Sequence, residues 1–209
     1  MIIVHHLENS RSQRILWMLE ELGLPYEIKR YERNPETMLA PPELKKVHPL
    51  GKSPVIEDGD QIIAETGAIV EYLVDKADGK LGAPANRGDA LRYRFWLHYA
   101  EGSMMPPLLL KLVLARIPIM GKVAVKKIQP MIDVHLDYVE SELAQRPWFA
   151  GAEMTAADIM MSFPLEAARS RGGLNESRPA TIAWLAKVHA RPAYQAGLKR
   201  AAPTPTPER

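Results

Sequence analysis

Gly51-Lys52-Ser53-Pro54-Val55-Ile56-Glu57, followed after a short apolar run by Ala64-Glu65-Thr66-Gly67-Ala68-Ile69-Val70, decides how this chain is read. Pro54 opens a short β-run, and a proline has no N–H to give to a ladder, so it belongs at the first position or the edge of a strand. Glu65-Thr66 then opens a helix. The first N–H groups of a helix have no internal partners, and its dipole favours negative charge there. A free backbone edge beside a helix start suits a short extended peptide held by its main chain, with a carboxylate at the helix.

Outward from this stretch, Leu50-Gly51-Lys52 precedes the proline and Glu71-Tyr72-Leu73 ends the helix that follows. Residues 2–6 form an apolar strand, and Ser12 leads into Ile15, Met18, Leu19 and Leu22 at the spacing of one helix face. Gly23 ends that helix in the manner of a left-handed C-terminal glycine. Tyr26-Glu27-Ile28 is a second strand, Glu43–Val47 a short helix between prolines, and Glu57-Asp58-Gly59-Asp60 a hairpin turn. In the helix from Thr66, Ile69, Val70, Leu73 and Val74 share a face. The order β-α-β then β-β-α is thioredoxin-like. Gly79, Gly82, Pro84 and Gly88 mark a linker. The spacing then predicts only helices, with a break near Ile117-Pro118 and an apolar series through Val125, Ile128, Ile132, Leu136, Val139 and Leu143. Thr155 and Asp158 have the spacing of a capping box. The expected division is 1–78 α/β, 79–88 linker, 89–200 all-helical, and 201–209 a frayed tail with Pro203, Pro205 and Pro207.

At 209 residues, 46% hydrophobic and 25% charged, the composition is that of an ordinary globular chain long enough for a sizeable core. A net charge of +2 is too small to imply nucleic acid or an anionic membrane. The greasiest region, Met104–Met120, is interrupted by Lys111, Arg116 and prolines, so it is no membrane span. With no leader pattern before the first strand, the expected compartment is the cytoplasm. His5 and His6 are adjacent on a strand and point to opposite faces, which argues against a shared metal. There is no cysteine, which removes disulfides, thiolate metal sites and a protein-borne thiol nucleophile.

In the order and spacing of these motifs the chain resembles the cytosolic glutathione transferase superfamily, in which a proline-led strand and a Glu-Ser or Glu-Thr helix start bind glutathione. The resemblance spans nearly the whole chain and implies a thioredoxin-like N-terminal domain, an all-helical C-terminal domain, a homodimer and glutathione as co-substrate. It also implies a cis Ser53–Pro54 bond, with Val55 pairing to the cysteinyl backbone. Glu65 and Thr66 would take the γ-glutamyl amino and carboxylate groups. Lys52 is a candidate for the glycyl carboxylate, and Arg11 for electrostatic assistance. The Thr155-x-x-Asp158 start resembles a buried folding element of the family.

Conjugation needs a thiolate, yet an unperturbed thiol has a pKa near ~8.5. Lowering it by about two units takes roughly 2.7 kcal/mol. One hydroxyl bond to the anion supplies roughly 1.5–3 kcal/mol, and a helix start adds ~0.3–1. In this fold the activating residue lies in the turn after the first strand, here Leu7-Glu8-Asn9-Ser10-Arg11-Ser12. No tyrosine precedes Tyr26, so the chain is similar to serine-type or related bacterial classes. Ser10, Asn9 and Ser12 compete for the role. Asn9 would act through its amide N–H, and Ser12 also suits a helix N-cap. The second substrate is expected between the domains, with His98, Tyr99, Met104, Met105 and Leu108 as contacts. It would be an apolar electrophile or an organic hydroperoxide. The alternatives are a glutathione-dependent isomerase or dehalogenase, and a non-catalytic ligand-binding protein on the same fold.

Overall fold

The computed structural model describes residues 1–202; all but the first two residues of the predicted tail fall outside the described part. The chain forms two compact units, one of Met1–Lys80 together with the segment from Ala190 onward, the other Leu81–His189.

The first unit holds β1 (Ile2–Leu7), α1 (Ser12–Leu22), β2 (Tyr26–Tyr31), the short α2 (Leu44–Val47), β3 (Val55–Asp58), β4 (Gln61–Ala64) and α3 (Thr66–Lys76). The sheet order is β2-β1-β3-β4. β1 runs parallel to β2 and antiparallel to β3, and β3 is antiparallel to β4. This is the thioredoxin-like order the sequence predicts. α1 buries Ile15, Trp17, Met18 and Leu19 and stops at Gly23, whose φ of 71° is the left-handed cap. α3 buries Ile69, Val70, Leu73 and Val74. The hairpin is tighter than predicted: Glu57 and Asp58 finish β3, and Gly59 (φ 60°) and Asp60 make the turn.

The last helix of the first unit, labelled α9 below, spans Pro192–Ala201 and packs on α1 rather than extending the helical domain to residue 200. Trp17 and Tyr194 meet edge to face at 5.4 Å. Gln13 Nε2 donates to the Tyr194 hydroxyl at 3.0 Å, and Arg191 binds Glu21 through two bonds of 2.5 and 2.9 Å. The contact closes over Gly197, where a Cβ would lie 3.0 Å from the Trp17 backbone nitrogen and 3.2 Å from the Leu16 carbonyl carbon. Backbone cannot move aside as a side chain does. Gly197→Val is therefore expected to destabilise the chain by about 1–3 kcal/mol, and Gly197→Ala by less, measured as shifts in the urea midpoint. A valine variant as stable as the parent would mean that this helix is not closely seated.

The second unit holds α4 (Arg87–Tyr99), α5 (Met105–Leu114), α6 (Met120–Leu143), α7 (Ala156–Ala167) and α8 (Pro179–His189). Among the described residues it contains no strand. One π-helical stretch, Ala100–Met104, joins α4 to α5, and another, Ala168–Gly172, follows α7. The chain turns at residues 115–119, between the end of α5 and the start of α6. α6 buries Ile132, Leu136, Val139 and Leu143, while Val125 and Ile128 of the predicted face are only half-buried. At the start of α7 the capping box is formed: Asp158 Oδ2 accepts from the Thr155 amide at 2.9 Å and the Thr155 hydroxyl at 3.2 Å. Among the described residues no helix is long and apolar enough to cross a membrane.

Candidate active site

Three segments of the first unit meet at one end of its sheet. The β1–α1 turn carries Asn9, Ser10 and Arg11. The loop into β3 carries Lys52, Ser53 and Pro54, with a cis Ser53–Pro54 bond as expected. The start of α3 carries Glu65 and Thr66. Val55 pairs with Ala64 at the end of the β3–β4 ladder, so Pro54 and Glu65 are the residues that leave the sheet on either side of that last pair. Ser53 is stitched to β1: its hydroxyl donates to His5 O at 2.8 Å and accepts from Leu7 N at 3.3 Å.

Ser10 is buried, with its Oγ 2.7 Å from Ser12 Oγ and 3.5 Å from Ser53 Oγ. Its oxygen also accepts from the Ser12 amide at 3.2 Å. Ser12 Oγ in turn lies 2.9 Å from His6 Nδ1 and 3.3 Å from Leu7 O. With the proton on His6 Nδ1, this geometry permits a one-way chain in which His6 donates to Ser12, Ser12 to Ser10, and Ser10 to an acceptor in the site. Burial, with a smaller contribution from Arg30, lowers the His6 pKa to about 4, so the ring is neutral near pH 7 and has one N–H to place.

The other sequence candidates fall out differently. Asn9 is exposed with a left-handed φ of 50°, a turn position that asparagine tolerates. Ser12 is not an N-cap: Arg11 holds that place, and the Ser12 hydroxyl is fully buried and turned back toward β1. Val55 cannot offer its backbone outward. β3 is an interior strand, with His5 on one side of Val55 and Ala64 on the other, so its N–H and C=O point into the ladder. The edge beyond the ladder is at Ser53. Lys52 is exposed, and Arg11 is half-buried and engaged in interactions of its own. Glu65 is exposed and Thr66 buried; Glu65 has φ 70° and ψ 122° with no side-chain cap. That backbone costs a non-glycine residue on the order of 1–3 kcal/mol, and such outliers concentrate at functional sites.

Sequence reasoning missed two supports. His6 drew notice only as half of a possible metal pair. Arg33 clamps the turn before Ser10, donating to Glu8 O at 2.9 Å, Asn9 O at 3.1 Å and Met38 O at 2.9 Å. Neither has a spacing signal, because their partners are brought near by the sheet.

The model of the glutathione S-transferase N-terminal domain matches residues 10–76, and that of the C-terminal domain matches residues 104–192. The chain belongs to the glutathione S-transferase superfamily. It is 38% identical to glutathione S-transferase 3 of Schizosaccharomyces pombe, over 96% of this chain and 88% of that protein. It is 35% identical to glutathione S-transferase 1 of Saccharomyces cerevisiae, over 96% and 95%. Among solved structures, a glutathione S-transferase from Actinobacillus pleuropneumoniae superposes with a TM-score of 0.86 at 35% identity, covering 96% of this chain and 93% of that one.

In the helical unit of this superfamily member, His98 and Tyr99 line an open cavity of about 490 Å³ with Arg94, Phe95 and Ser103. Tyr99 stacks on Phe95 and its hydroxyl meets His135 Nδ1. The other three expected substrate contacts behave otherwise: Met104, Met105 and Leu108 are buried core residues and, as placed, give a ligand no surface.

Proposed function

We propose that this chain is a glutathione S-transferase in which Ser10 donates its hydroxyl hydrogen to the glutathione sulfur and holds it as the thiolate. The observation that supports this reading is the convergence of the Ser10 turn, the Pro54 loop and the Glu65-Thr66 helix start at one end of the sheet. Glutathione lies extended along the Ser53–Pro54 edge, its cysteinyl backbone meeting Ser53 rather than Val55. The γ-glutamyl amino group meets the Glu65 carboxylate, and the γ-glutamyl carboxylate meets Thr66 and the first N–H groups of α3. Lys52 and Arg11 supply positive charge toward the glycyl end.

With no cysteine in the protein, the reacting sulfur belongs to the ligand, and the reaction is attack on an apolar electrophile or reduction of an organic hydroperoxide. His98 and Tyr99 are the proposed contacts for that second substrate. A cytoplasmic setting belongs to the same proposal, because it keeps thiols reduced. So does a homodimer, for which Met131 and Val134 supply exposed apolar area on α6. Sedimentation is expected to give twice the 23.4 kDa chain mass; a monomer at working concentration would remove that part.

The deciding experiment is calorimetry with glutathione, alongside turnover of a chloronitrobenzene and of cumene hydroperoxide. Binding and turnover are expected in the parent chain, and Glu65→Ala is expected to bind severalfold more weakly. A folded protein with no affinity for glutathione would end the proposal, and binding without turnover would turn it toward a ligand-binding role.

A further inference from the structure

The low net charge of +2 conceals an uneven distribution. From Gly102 to Ile132 the chain has no Asp or Glu but carries Lys111, Arg116, Lys122, Lys126 and Lys127. The other 22 of the 27 basic residues share the rest of the chain with all 25 acidic ones, so the remainder is net negative. The cations are gathered around the turn between α5 and α6. Arg116, Lys122, Lys126 and Lys127 are exposed, and their side chains have no ion-pair or hydrogen-bond partner among the described residues.

The same turn exposes aliphatic side chains. Ile117, Ile119, Met120 and Val123 are 46%, 82%, 69% and 55% exposed. Ile119 is the extreme case: a β-branched residue at φ 60° and ψ −71°, a backbone region that such residues rarely occupy. The turn is fixed rather than slack. Met120 N donates to Pro118 O, and a Cβ on Gly121 would fall 2.1 Å from Leu114 O, so only glycine lets α6 start there. The turn thus presents exposed aliphatic side chains with Arg116 beside them and Lys122, Lys126 and Lys127 exposed on the first turns of α6.

We propose that this α5–α6 turn docks on an anionic lipid bilayer, with Ile119 and its neighbours entering the headgroup and acyl boundary and the lysines facing lipid phosphates. Aliphatic side chains with surrounding Lys and Arg suit that interface. A second copy does not fit, since a two-fold contact through this turn would set the same cations against each other. Nucleic acid does not call for the aliphatic tip, which carries no aromatic ring for base stacking.

The test is sedimentation of the untagged full chain with phosphatidylcholine vesicles, with and without about one-third phosphatidylglycerol, at low salt and at roughly 0.5 M salt. Binding is expected only to the anionic vesicles, weakened by salt. Ile119→Asp, and separately the pair Lys126→Glu with Lys127→Glu, are each expected to weaken it about tenfold or more. All three positions are exposed, and each variant should bind glutathione like the parent. No sedimentation, equal sedimentation with neutral vesicles, or full binding by either variant overturns the proposal. So does a fall in oligomer mass in Ile119→Asp, which would make the turn a contact between copies.

Discussion

Ser10→Ala is expected to raise the pKa of the bound glutathione thiol and to lower turnover near neutral pH by about tenfold or more. A hydroxyl bond to an anion is worth roughly 1.5–3 kcal/mol, and a tenfold effect needs about 1.4. The assignment rests on donor accounting. The Ser10 oxygen has the Ser12 amide and the Ser12 hydroxyl beside it. With His6 donating to Ser12 and Ser12 to Ser10, the acceptor left for the Ser10 hydrogen is Ser53 Oγ at 3.5 Å, the outer limit of a hydrogen bond. A thiolate is the better acceptor. The check is a titration of thiolate absorbance in the complex together with the pH–rate profile. Both should shift to higher pH in Ser10→Ala, and an unchanged profile would remove Ser10 from the role. Asn9→Ala, at an exposed turn position, should leave the profile where it is.

The largest loss of stability is expected from Asp158→Ala. Asp158 is fully buried, and its carboxylate accepts from the Phe149 amide at 3.0 Å as well as from the Thr155 amide and hydroxyl. Alanine would leave three buried donors without a partner, at roughly 1–3 kcal/mol each. Some of that is offset because a costly buried charge is also removed, so a net loss of about 3 kcal/mol or more is expected, read from urea unfolding. Burial, opposed by these hydrogen bonds, raises the Asp158 pKa from 3.8 to about 6. Between those values the folded protein keeps a proton that the unfolded chain has released, so this group's contribution to stability falls as pH rises from about 4 to 6. In Asp158→Asn that slope should vanish. A parent protein whose stability rises through the window by the same amount as the variant would show that Asp158 is not the group responsible.

Much of the first unit was legible because its signals are local. The 3.6-residue spacing of Ile15, Met18, Leu19 and Leu22, the left-handed Gly23, and the Pro54 and Glu65-Thr66 pair each act within a few residues. Boundaries drifted by one or two positions where a turn could be drawn in more than one way, as at Glu57-Asp58. Errors arose where a residue's role depends on what lies beside it. Val55 looked like the presenting residue because it follows Pro54, but strand pairing on both sides turns its backbone inward. Ser12 resembled a cap by position, yet its hydroxyl turns back to His6. Met104, Met105 and Leu108 looked adaptable and proved to be core.

What the sequence determined by itself is therefore the order of elements, the apolar faces and the absence of any protein thiol, which follow from covalent geometry, periodicity and composition. The peptide-binding reading of the Pro54 and Glu65-Thr66 pair came from its resemblance to a family. Tertiary structure alone decided that the last helix returns to α1 over Gly197, that Arg33 braces the turn before Ser10, and that Ser10, Ser12 and His6 form one hydrogen-bonded row. The physical reason is distance along the chain. Arg191 and Glu21, or Ser53 and His5, are brought together by packing and strand pairing, and no local pattern encodes which distant partner will fill a hydrogen bond.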